Sequence, residues 1–251
     1  MSYHRFKEFF YRNGFVVVPG FITGNEFQEL ESNLARYIAE VVPGLPKTEA
    51  YYQDPNRPET LKQLQRLDRD PFFEKISKKA KWYELAEALL GEKCDECLGG
   101  PEWFNKPPNT EHPTPPHQDN YYFKFNPPLV VTIWVAMEAI DSENGCLRYV
   151  PGSHKRGIRP HNRSKVLGFS QTVTDWGPAD EAAEIRVELQ AGDAVVHHSE
   201  LIHRAEPNKS STRHRRAYAQ IIKAVGAKVD EKAKAEYEAE VRVHLASSEV
   251  R

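Results

Sequence analysis

The feature that most constrains the fold is a run of short strands separated by turns, which occupies the chain after Gly91. Its strongest member, LVVTIWVAM at 129–137, is almost entirely apolar and rich in β-branched and aromatic side chains. The turn signals SENG, PGS and QAGD separate the segments that follow. Many short strands at such spacing predict a β-sandwich or jelly roll. The other predicted strands are CLRYV (146–150), EIRVEL (184–189), DAVVHH (193–198) and RRAYAQIIKA (215–224).

The first 90 residues are mostly helical in pattern. Apolar side chains recur at the spacing of a helix face after Thr23, which resembles an N-cap. A second helical pattern follows the polar, proline-containing segment YYQDPNRPETLKQLQRL, which predicts a loop. The tail from Asp230 to Glu240 alternates Lys, Ala and Glu, which predicts an exposed helix. The predicted elements of the first part are helices at 1–13, 25–42 and 71–90, a strand at 14–19 and a loop at 51–67.

Composition narrows the class of protein. The 251 residues are 39% hydrophobic and 28% charged, which is typical of a globular chain and unlike a disordered one. Thirty-four Lys and Arg against thirty-six Asp and Glu give a net charge near −2, so no overall field attracts nucleic acid or an anionic membrane. No stretch reaches the roughly 18 consecutive apolar residues of a membrane span. We therefore expect a small-molecule partner, and neither a nucleic acid nor a membrane.

The amino terminus and the cysteines favour a cytoplasmic protein. The sequence MSYHRFKEFF has neither a basic region followed by an apolar run nor a small-residue cleavage site. Cys94, Cys97 and Cys146 are too few for a disulfide framework and fit a reducing compartment. Cys94 and Cys97 form a CxxC pair, but no second pair accompanies it, so a zinc or redox role is disfavoured. The expected association state is a monomer or a homodimer.

A histidine and an aspartate two residues apart mark the strongest candidate for chemistry. In the tripeptide HQD, the side chains of His117 and Asp119 project from the same face if the segment is an extended strand. A third metal ligand would come from HHSELIH, where His197, His198 and His203 are equal candidates on residue type alone. Two histidines and one carboxylate on one face of an iron ion leave three positions open, as in the facial triad of non-haem Fe(II) oxygenases.

A basic run downstream of these histidines contains arginines that could bind the carboxylate of an acidic cosubstrate. In RHRRAYAQII an arginine enters a predicted strand, where it could form a bidentate salt bridge with the far carboxylate of a 2-oxo acid. Such an acid would chelate iron through its near carboxylate and its ketone. The near-neutral net charge argues against interpreting the same run as a nucleic-acid patch.

Six segments resemble, in order along the chain, those of the phytanoyl-CoA dioxygenase family: GFVVVPGF, TLKQLQ around Lys62, NKPP, HQDNYYF, TIWVAMEAIDSENGCLRYVPGSHK and GDAVVHHSELIHRAEPN. The resemblance implies a mainly β fold with flanking helices, a double-stranded β-helix of the jelly-roll, cupin-like kind. It also implies Fe(II) as cofactor and 2-oxoglutarate and O2 as cosubstrates. The iron ligands implied are His117, Asp119 and His203.

The change of pattern after Gly91, together with the resemblance, predicts a division of the chain, and the resemblance implies a set of 2-oxoglutarate contacts. One domain over 1–251 would comprise a mostly helical part at 1–90 that packs on the barrel, the double-stranded β-helix at 91–225, and a helical tail at 226–251. The implied contacts with 2-oxoglutarate are Lys62, Gln118, Thr132, Trp134 and an arginine after the distal histidine.

The position of that arginine departs from the family pattern. The family usually places it eleven residues after the distal histidine, and this position is His214 here, flanked by Arg213, Arg215 and Arg216. Aligning RRA with the family's basic-basic-alanine run requires one inserted residue in the preceding turn, and turns tolerate insertions. We therefore expect Arg215 to bind 2-oxoglutarate.

These features predict an Fe(II)- and 2-oxoglutarate-dependent dioxygenase that hydroxylates a small-molecule metabolite and releases succinate and CO2. The carboxylate of Asp119 favours hydroxylation, because the halogenating relatives lack it. The candidate pocket residues are Tyr121, Tyr122 and Tyr52, and the polar segment around Tyr52 favours a small polar substrate. Two alternatives stay open: a non-catalytic, cupin-like metal-binding protein, and a zinc hydrolase that uses the same three ligands around a bound water.

Overall fold

The structure, a computed structural model, describes residues 2–46, 48–164 and 171–248, with side chains up to residue 239. The α-helices in these ranges are α1 (Lys7–Asn13), α2 (Gly24–Glu40), α3 (Pro71–Ser77), α4 (Ala80–Leu90), α5 (Asn120–Phe123), α6 (Pro178–Ala183) and α7 (Glu231–Ser248). The strands are β1 (Phe15–Val18), β2 (Ala50–Tyr52), β3 (Leu61–Leu64), β4 (Cys94–Cys97), β5 (Glu102–Lys106), β6 (Thr114–His117), β7 (Phe125–Asn126), β8 (Val130–Ala136), β9 (Leu147–Tyr149), β10 (His161–Arg163), β11 (Gln171–Val173), β12 (Ile185–Val187), β13 (Ala194–His198), β14 (His203–Ala205), β15 (Arg215–Ala224) and β16 (Lys228–Val229). Short 3-10 helices span Tyr3–Phe6, Val42–Gly44, Pro58–Thr60, Leu67–Arg69 and Ser153–Arg156.

Two antiparallel sheets share one apolar core. The larger sheet has the order β1-β13-β8-β15-β5-β3-β2, with β4 paired to the last part of β15, and the smaller has the order β12-β9-β14-β6. Trp134 and Ala219 from the larger sheet form a buried cluster with Leu147 and Tyr149 from the smaller one. Among the described strands the two sheets stay separate and do not close into a barrel. The arrangement confirms the predicted jelly roll with flanking helices.

Strand β8 separates two environments. Val131, Ile133 and Val135 face outward and pack against the helical layer, whereas Thr132 and Trp134 face the space between the sheets. All seven residues of β8 are buried, so its sequence is a continuous apolar run rather than an alternating one. The helical layer is contributed mainly by α2 and α4, whose buried residues are Leu30, Leu34, Tyr37, Trp82, Leu85, Ala86, Ala88 and Leu89.

The loop predicted at 51–67 is wrong. The segment contributes β2 and β3, which extend the larger sheet at one edge through pairing of Gln63 with Phe104. Its two prolines, Pro55 and Pro58, lie between the strands, where they interrupt no ladder hydrogen bond. Pairing with β5 therefore outweighs the weak strand propensity of a polar, proline-containing sequence.

Most of the other predicted elements are confirmed, with shorter bounds. Strands β8, β9, β12 and β13 lie within the predicted segments, and β15 coincides with the predicted one. The helix predicted at 71–90 is two helices, α3 and α4, because the backbone is extended at Lys79. The turn before β13 requires Gly192, since its φ is +85° and a Cβ there would lie 2.1 Å from the carbonyl oxygen of Ile22.

The carboxyl-terminal tail is helical, as predicted, over α7. Residues 249–251 of the predicted tail lie outside the described residues, and the division of the chain at 90 and 225 stays a prediction. None of the helices that the structure describes is long and apolar enough to cross a bilayer.

Candidate metal site and adjoining cavity

His117 and His203 lie side by side because their strands pair. His117 ends β6, His203 begins β14, and the two residues are register partners. Their ring centroids are 4.1 Å apart. The predicted extended strand through Asp119 is wrong, because this residue has helical backbone angles and precedes α5. The turn nevertheless brings its Oδ1 atom to 3.5 Å from Nε2 of His117 and 3.6 Å from Nε2 of His203.

Backbone carbonyls orient both imidazoles. Nδ1 of His117 lies 2.8 Å from the carbonyl oxygen of Pro115, and Nδ1 of His203 lies 2.9 Å from that of Leu201. A carbonyl oxygen can only accept a hydrogen bond, so each Nδ1 carries the proton and each Nε2 presents a lone pair. This is the tautomer that a metal-binding histidine needs. One ligand atom each of His117, Asp119 and His203 lies within 4.8 Å of the others, and this N,N,O donor set fits Fe(II).

The second carboxylate oxygen of Asp119, Oδ2, contacts two side chains that are not part of the cluster. Thr132 donates a hydrogen bond to Oδ2 at 2.9 Å, and Nε2 of His197 lies 3.3 Å from the same atom. The hydroxyl of Tyr149 lies 2.9 Å from Nδ1 of His197 and fixes the ring. These contacts leave Oδ1 facing the two imidazoles of the cluster. Of the three histidines that residue type could not separate, His203 joins the cluster, His197 supports it, and His198 accepts a hydrogen bond from a backbone amide on the other side of β13.

The electrostatics favour the protonation states of metal ligands. Burial raises the pKa of Asp119, but the neighbouring imidazoles His203, His117 and His197 outweigh it and hold this pKa well below its usual range. Burial, with His117 and His197 nearby, lowers the pKa of His203 well below its usual value. An ionised carboxylate and a neutral imidazole are the forms that coordinate a metal.

A cavity of about 330 Å³ opens beside the cluster. Its floor is the inner face of the larger sheet, where Trp134, Ala219 and Glu102 form one row of register partners across β8, β15 and β5. The small side chain of Ala219 leaves the space open. The volume is at the low end of the roughly 300–1,000 Å³ of ligand pockets, which suits small ligands.

One end of the cavity is cationic. Arg215, the first residue of β15, is buried and lines the cavity with its guanidinium carbon 5.4 Å from the ring centroid of Trp134. Within the described part of the chain its Nε atom has no hydrogen-bond partner. Burial lowers the pKa of Arg215 to about 10, so it remains charged at neutral pH. A buried guanidinium with an unused donor fits a carboxylate guest.

Two lysines lie close to Arg215. Lys62 and Lys106 line a smaller pocket that shares Arg215 with the main cavity. Burial and the charge of Arg215 lower the pKa of both amines, that of Lys106 strongly. Lys106 donates hydrogen bonds to the backbone carbonyls of Ala205 and Glu206, so it also ties β5 to the end of β14.

The arginines that flank Arg215 point away from the cavity. Arg213 pairs with Asp141 and Glu143, and Arg216 pairs with Glu138. Neighbouring residues of a strand project to opposite faces, which explains the different positions of Arg215 and Arg216. Of the three candidates, Arg215 is the one that lines the cavity.

Gln118 is next to His117 and Asp119 in sequence, but its side chain binds backbone groups outside the cavity. Its amide nitrogen donates to the carbonyls of Gly157 and Glu200, and its amide oxygen accepts from the backbone N–H of Arg159. These contacts tie the loop after the 3-10 helix at Ser153–Arg156 to the cluster. Gln118 is not among the residues that line the cavity, unlike the predicted cosubstrate contacts Thr132 and Trp134.

The three predicted pocket tyrosines are not together. Tyr122 lines the main cavity, with its ring edge-on to that of His117 at 6.4 Å. Tyr121 stacks on His161 at 4.2 Å, outside the lining. Tyr52 lines the smaller pocket beside Lys62.

The cavity also contains polar side chains that were not predicted from the sequence. Glu102, Gln63 and Gln65 line it, and Gln63 lines the smaller pocket as well. The signal was available in the strand EWFNK, because alternation places Glu102 and Phe104 on the same face and Gln63 is the register partner of Phe104. It was not interpretable without knowing which face was inward.

The fold and the cluster together define a class, jelly rolls that could hold one metal ion between their sheets with a facial set of two imidazoles and one carboxylate. Within this class, a family model described as phytanoyl-CoA dioxygenase (PhyH) matches residues 10–217. The chain belongs to the phytanoyl-CoA dioxygenase family, and the resemblance predicted from the sequence is confirmed.

Curated relatives agree with this assignment. Peroxisomal phytanoyl-CoA dioxygenase of Mus musculus is 31% identical over 224 residues, which cover 81% of this chain and 63% of the mouse protein. The Homo sapiens protein of the same description is 28% identical over 219 residues, with the same coverage. The chain thus spans less than two thirds of the length of these relatives.

Solved structures share the fold. The epimerase SnoN, in complex with Fe3+, alpha-ketoglutarate and nogalamycin RO, is similar with a TM-score of 0.70 and 22% identity, covering 91% of this chain and 86% of that one. EctD from S. alaskensis, with 2-oxoglutarate and 5-hydroxyectoine, has a TM-score of 0.72 and 16% identity, covering 90% of this chain and 77% of that one. At these identities the likeness establishes the architecture.

Proposed function

We propose that this protein is an Fe(II)- and 2-oxoglutarate-dependent dioxygenase that hydroxylates a small-molecule metabolite. The observation that carries the proposal is a single cavity with two complementary ends. Two imidazole nitrogens and one carboxylate oxygen converge on one side of it, and the buried guanidinium of Arg215, with an unused donor, lies on another. The descriptions of the family and of its curated relatives support a dioxygenase.

Each of these residues has a defined task in the proposed reaction. His117, Asp119 and His203 would hold Fe(II) on one face and leave its other positions to ligands. Arg215 would hold the far carboxylate of 2-oxoglutarate over Trp134, with Lys62 adding positive charge. Bound together, Fe(II), 2-oxoglutarate and O2 supply the chemistry, in which R–H, O2 and 2-oxoglutarate become R–OH, succinate and CO2.

Surrounding side chains keep the site dry and fixed. Tyr149 is fully buried and Trp134 nearly so, and both lie in the apolar cluster between the sheets. Thr132 and His197 prevent the carboxylate of Asp119 from rotating, because both contact its Oδ2 atom. A rigid ligand set on strands suits a reaction that depends on geometry and on the exclusion of water.

The two alternatives explain less of the structure. A zinc hydrolase would use the same three ligands but would give no task to Arg215 or Trp134. A non-catalytic metal-binding protein would have no need for a buried cation whose Nε atom lacks a partner in the described residues. Such a cation costs desolvation free energy unless a guest compensates it.

The test is an anaerobic titration of the Fe(II)-loaded protein with 2-oxoglutarate, followed through the visible charge-transfer band that bidentate chelation of iron produces. We expect the band in the wild type and its loss in His203→Ala. Arg215→Ala should require about tenfold or more 2-oxoglutarate, since a charge-assisted hydrogen bond is lost. Arg213→Ala is the matched control and should titrate like the wild type. Bound iron without a band would favour the non-catalytic protein, and Zn(II)-dependent hydrolysis without a band would favour the hydrolase.

We also propose a reducing, cytosolic location. Cys94, Cys97 and Cys146 are free thiols in the structure, and burial raises the pKa of all three, to about 12 for Cys94 and Cys97. Thiols with raised pKa values are poor nucleophiles and do not favour disulfide exchange. Fractionation of cells that express the tagged chain would test the location, and recovery in peroxisomes would contradict it.

A further inference from the structure

Glu102 is an acidic side chain of the cavity that forms no ion pair with any residue the structure describes. It is partly buried on β5 and shares the cavity lining with one other acid, Asp119, among the described residues. Its carboxylate accepts one hydrogen bond, from Nε2 of Gln63 at 3.3 Å. The described residues place no Lys, Arg or His in an ion pair with it.

Some other buried or half-buried carboxylates of this chain form ion pairs, whereas half-buried Glu200, like Glu102, accepts a hydrogen bond from a side-chain amide. Glu49 forms an ion pair with Arg69, and Glu184 forms one with Arg204. The carboxylate of Asp119 lies close to the imidazoles of His117 and His203. Burying a carboxylate is costly unless hydrogen bonds or an opposite charge compensate it. Glu102 has only one of the several hydrogen bonds that a carboxylate can accept, so the fold leaves its remaining capacity for a guest.

The cavity has opposite charges at two places along the paired strands β5 and β15. Glu102 is the register partner of Ala219, and Arg215 lies four residues earlier on β15, about 13 Å along the backbone. A dianion such as 2-oxoglutarate is attracted to Arg215 and repelled by Glu102. The acidic end therefore stays free when the cationic end is occupied.

Further polar and aromatic groups line the cavity that contains Glu102. The side-chain amides of Gln63 and Gln65 offer oxygen acceptors, and the rings of Tyr122 and Phe104 line the same cavity. Carboxylate, amide oxygens and aromatic faces together are the usual surroundings of an organic cation. Burial, with the charge of Asp119, raises the pKa of Glu102 to about 7, a cost that a bound cation would reverse.

We propose that Glu102, supported by Gln63 and Gln65, selects a small substrate that carries a cationic nitrogen, an ammonium or guanidinium group. The proposal rests on the proposed function only in naming the ligand a substrate. A long apolar acyl chain in this place would leave the carboxylate without a partner and is disfavoured.

Three probes of similar size and different charge test the inference: n-pentylammonium, 1-hexanol and hexanoate. Their binding to the Zn(II)-loaded protein, saturated with 2-oxoglutarate, is measured by ligand-detected NMR, which requires no turnover. We expect n-pentylammonium to bind about tenfold or more tightly than the other two, as a charge-assisted contact in a cavity predicts.

Variants assign the preference to Glu102. Glu102→Gln keeps the shape and removes the charge, so n-pentylammonium should bind about tenfold more weakly while 1-hexanol is unaffected. Glu102→Asp keeps the charge and should retain the preference. The control Glu31→Gln, at an exposed position of α2, should match the wild type. Equal or tighter binding of hexanoate or 1-hexanol, or an unchanged affinity of Glu102→Gln for n-pentylammonium, would overturn the inference.

The outcome can be separated from that of the proposed function. Absence of the 2-oxoglutarate charge-transfer band would reject the dioxygenase, and the preference for n-pentylammonium over 1-hexanol can still be measured on the Zn(II)-loaded protein without 2-oxoglutarate. A normal band with no preference for n-pentylammonium would reject only the role of Glu102.

Discussion

Asp119 is held through both of its carboxylate oxygens, and each oxygen has a different surrounding. Oδ1 faces the imidazoles of His117 and His203, and Oδ2 contacts Thr132 and His197. His197 is itself fixed by Tyr149. The orientation of the proposed iron ligand therefore depends on a histidine that would not bind the metal. Partners of this kind commonly change metal affinity when they are removed.

Replacing His197 tests this dependence. In His197→Phe the ring shape is kept but the contact with Oδ2 is lost, so the affinity for Fe(II) should fall about 10- to 100-fold. The measurement is competition with a chelator of known affinity under anaerobic conditions. His4→Phe, which removes an exposed imidazole, should leave the affinity unchanged. Wild-type affinity in His197→Phe would show that Thr132 alone orients the carboxylate.

Glu102 makes stability depend on pH with a definite sign. Its pKa is raised to about 7 from an ordinary value of 4.5, so between these values the folded chain binds more protons than the unfolded chain. The contribution of Glu102 to the stability of the metal-free protein should therefore fall as pH rises through this window, by up to about 3 kcal/mol. Urea unfolding at pH 5 and pH 8 measures the effect. Glu102→Gln should lack this loss, and Glu31→Gln should retain it; equal pH dependence in both variants would contradict the argument.

At the scale of elements, the one-turn helix α5 depends on α7. α5 begins directly after Asp119, and Tyr237 of α7 packs on Tyr121 and Tyr122 with ring centroids 5.9 and 6.1 Å apart. Lys234 also donates a hydrogen bond to the carbonyl of Tyr122 at 3.0 Å. A single turn has too few internal hydrogen bonds to be stable alone. Its order must come from packing, and α7 supplies part of that packing.

Truncating one side chain of α7 tests the coupling. Tyr237→Ala should speed amide exchange over 119–124 by about tenfold, because local opening costs less when the packing is removed. Hydrogen–deuterium exchange with mass spectrometry provides the measurement. Peptides from α4, on the outer face of the larger sheet, serve as the internal control and should not change. Unaltered exchange at 119–124 would mean that α5 is held by its own loop contacts.

At the scale of the whole molecule, the larger sheet separates a structural core from a functional one. Its outer face packs on the helices, where Trp82 is fully buried with ring contacts to Phe21 at 4.8 Å and to Tyr218 at 5.8 Å. Its inner face carries the cavity, with Ala219 next along β15 after Tyr218. Stability and binding therefore use opposite faces of the same strands.

Mutation of the outer core should change stability without changing the metal site. Trp82→Ala should lower the free energy of unfolding by about 3–5 kcal/mol, as expected for a large buried aromatic. Urea unfolding measures this loss, and chelator competition on the folded variant should give wild-type Fe(II) affinity. Tyr11→Ala removes a side chain that is 72% exposed and should cost less than about 0.5 kcal/mol. A large fall in iron affinity in Trp82→Ala would contradict the separation of the two faces.

The local sequence pattern was sufficient to predict many of the strands and turns of this protein. The continuous apolar run of β8 and the turn at Gly192 predict strands and their ends, because both depend on residues that are neighbours in sequence. The order of six family motifs pointed to the jelly roll, and to His117, Asp119 and His203 as one group. The prediction of a loop at 51–67 failed because these strands depend on long-range pairing: β3 pairs with β5, and β2 pairs with β3.

The tertiary structure alone decided what the side chains face. The sequence could not separate Arg213, Arg215 and Arg216 by charge, but strand direction and register place only Arg215 of these three in the cavity. Residue type could not choose among His197, His198 and His203 as the third metal ligand. The pairing of β14 with β6 makes the choice, because it brings His203 next to His117. Glu102 is an ordinary charged residue in the sequence and becomes a cavity wall because β5 lies beside β15. Register and burial are set by contacts between distant segments, so they are physical properties of the folded chain and not of any local window.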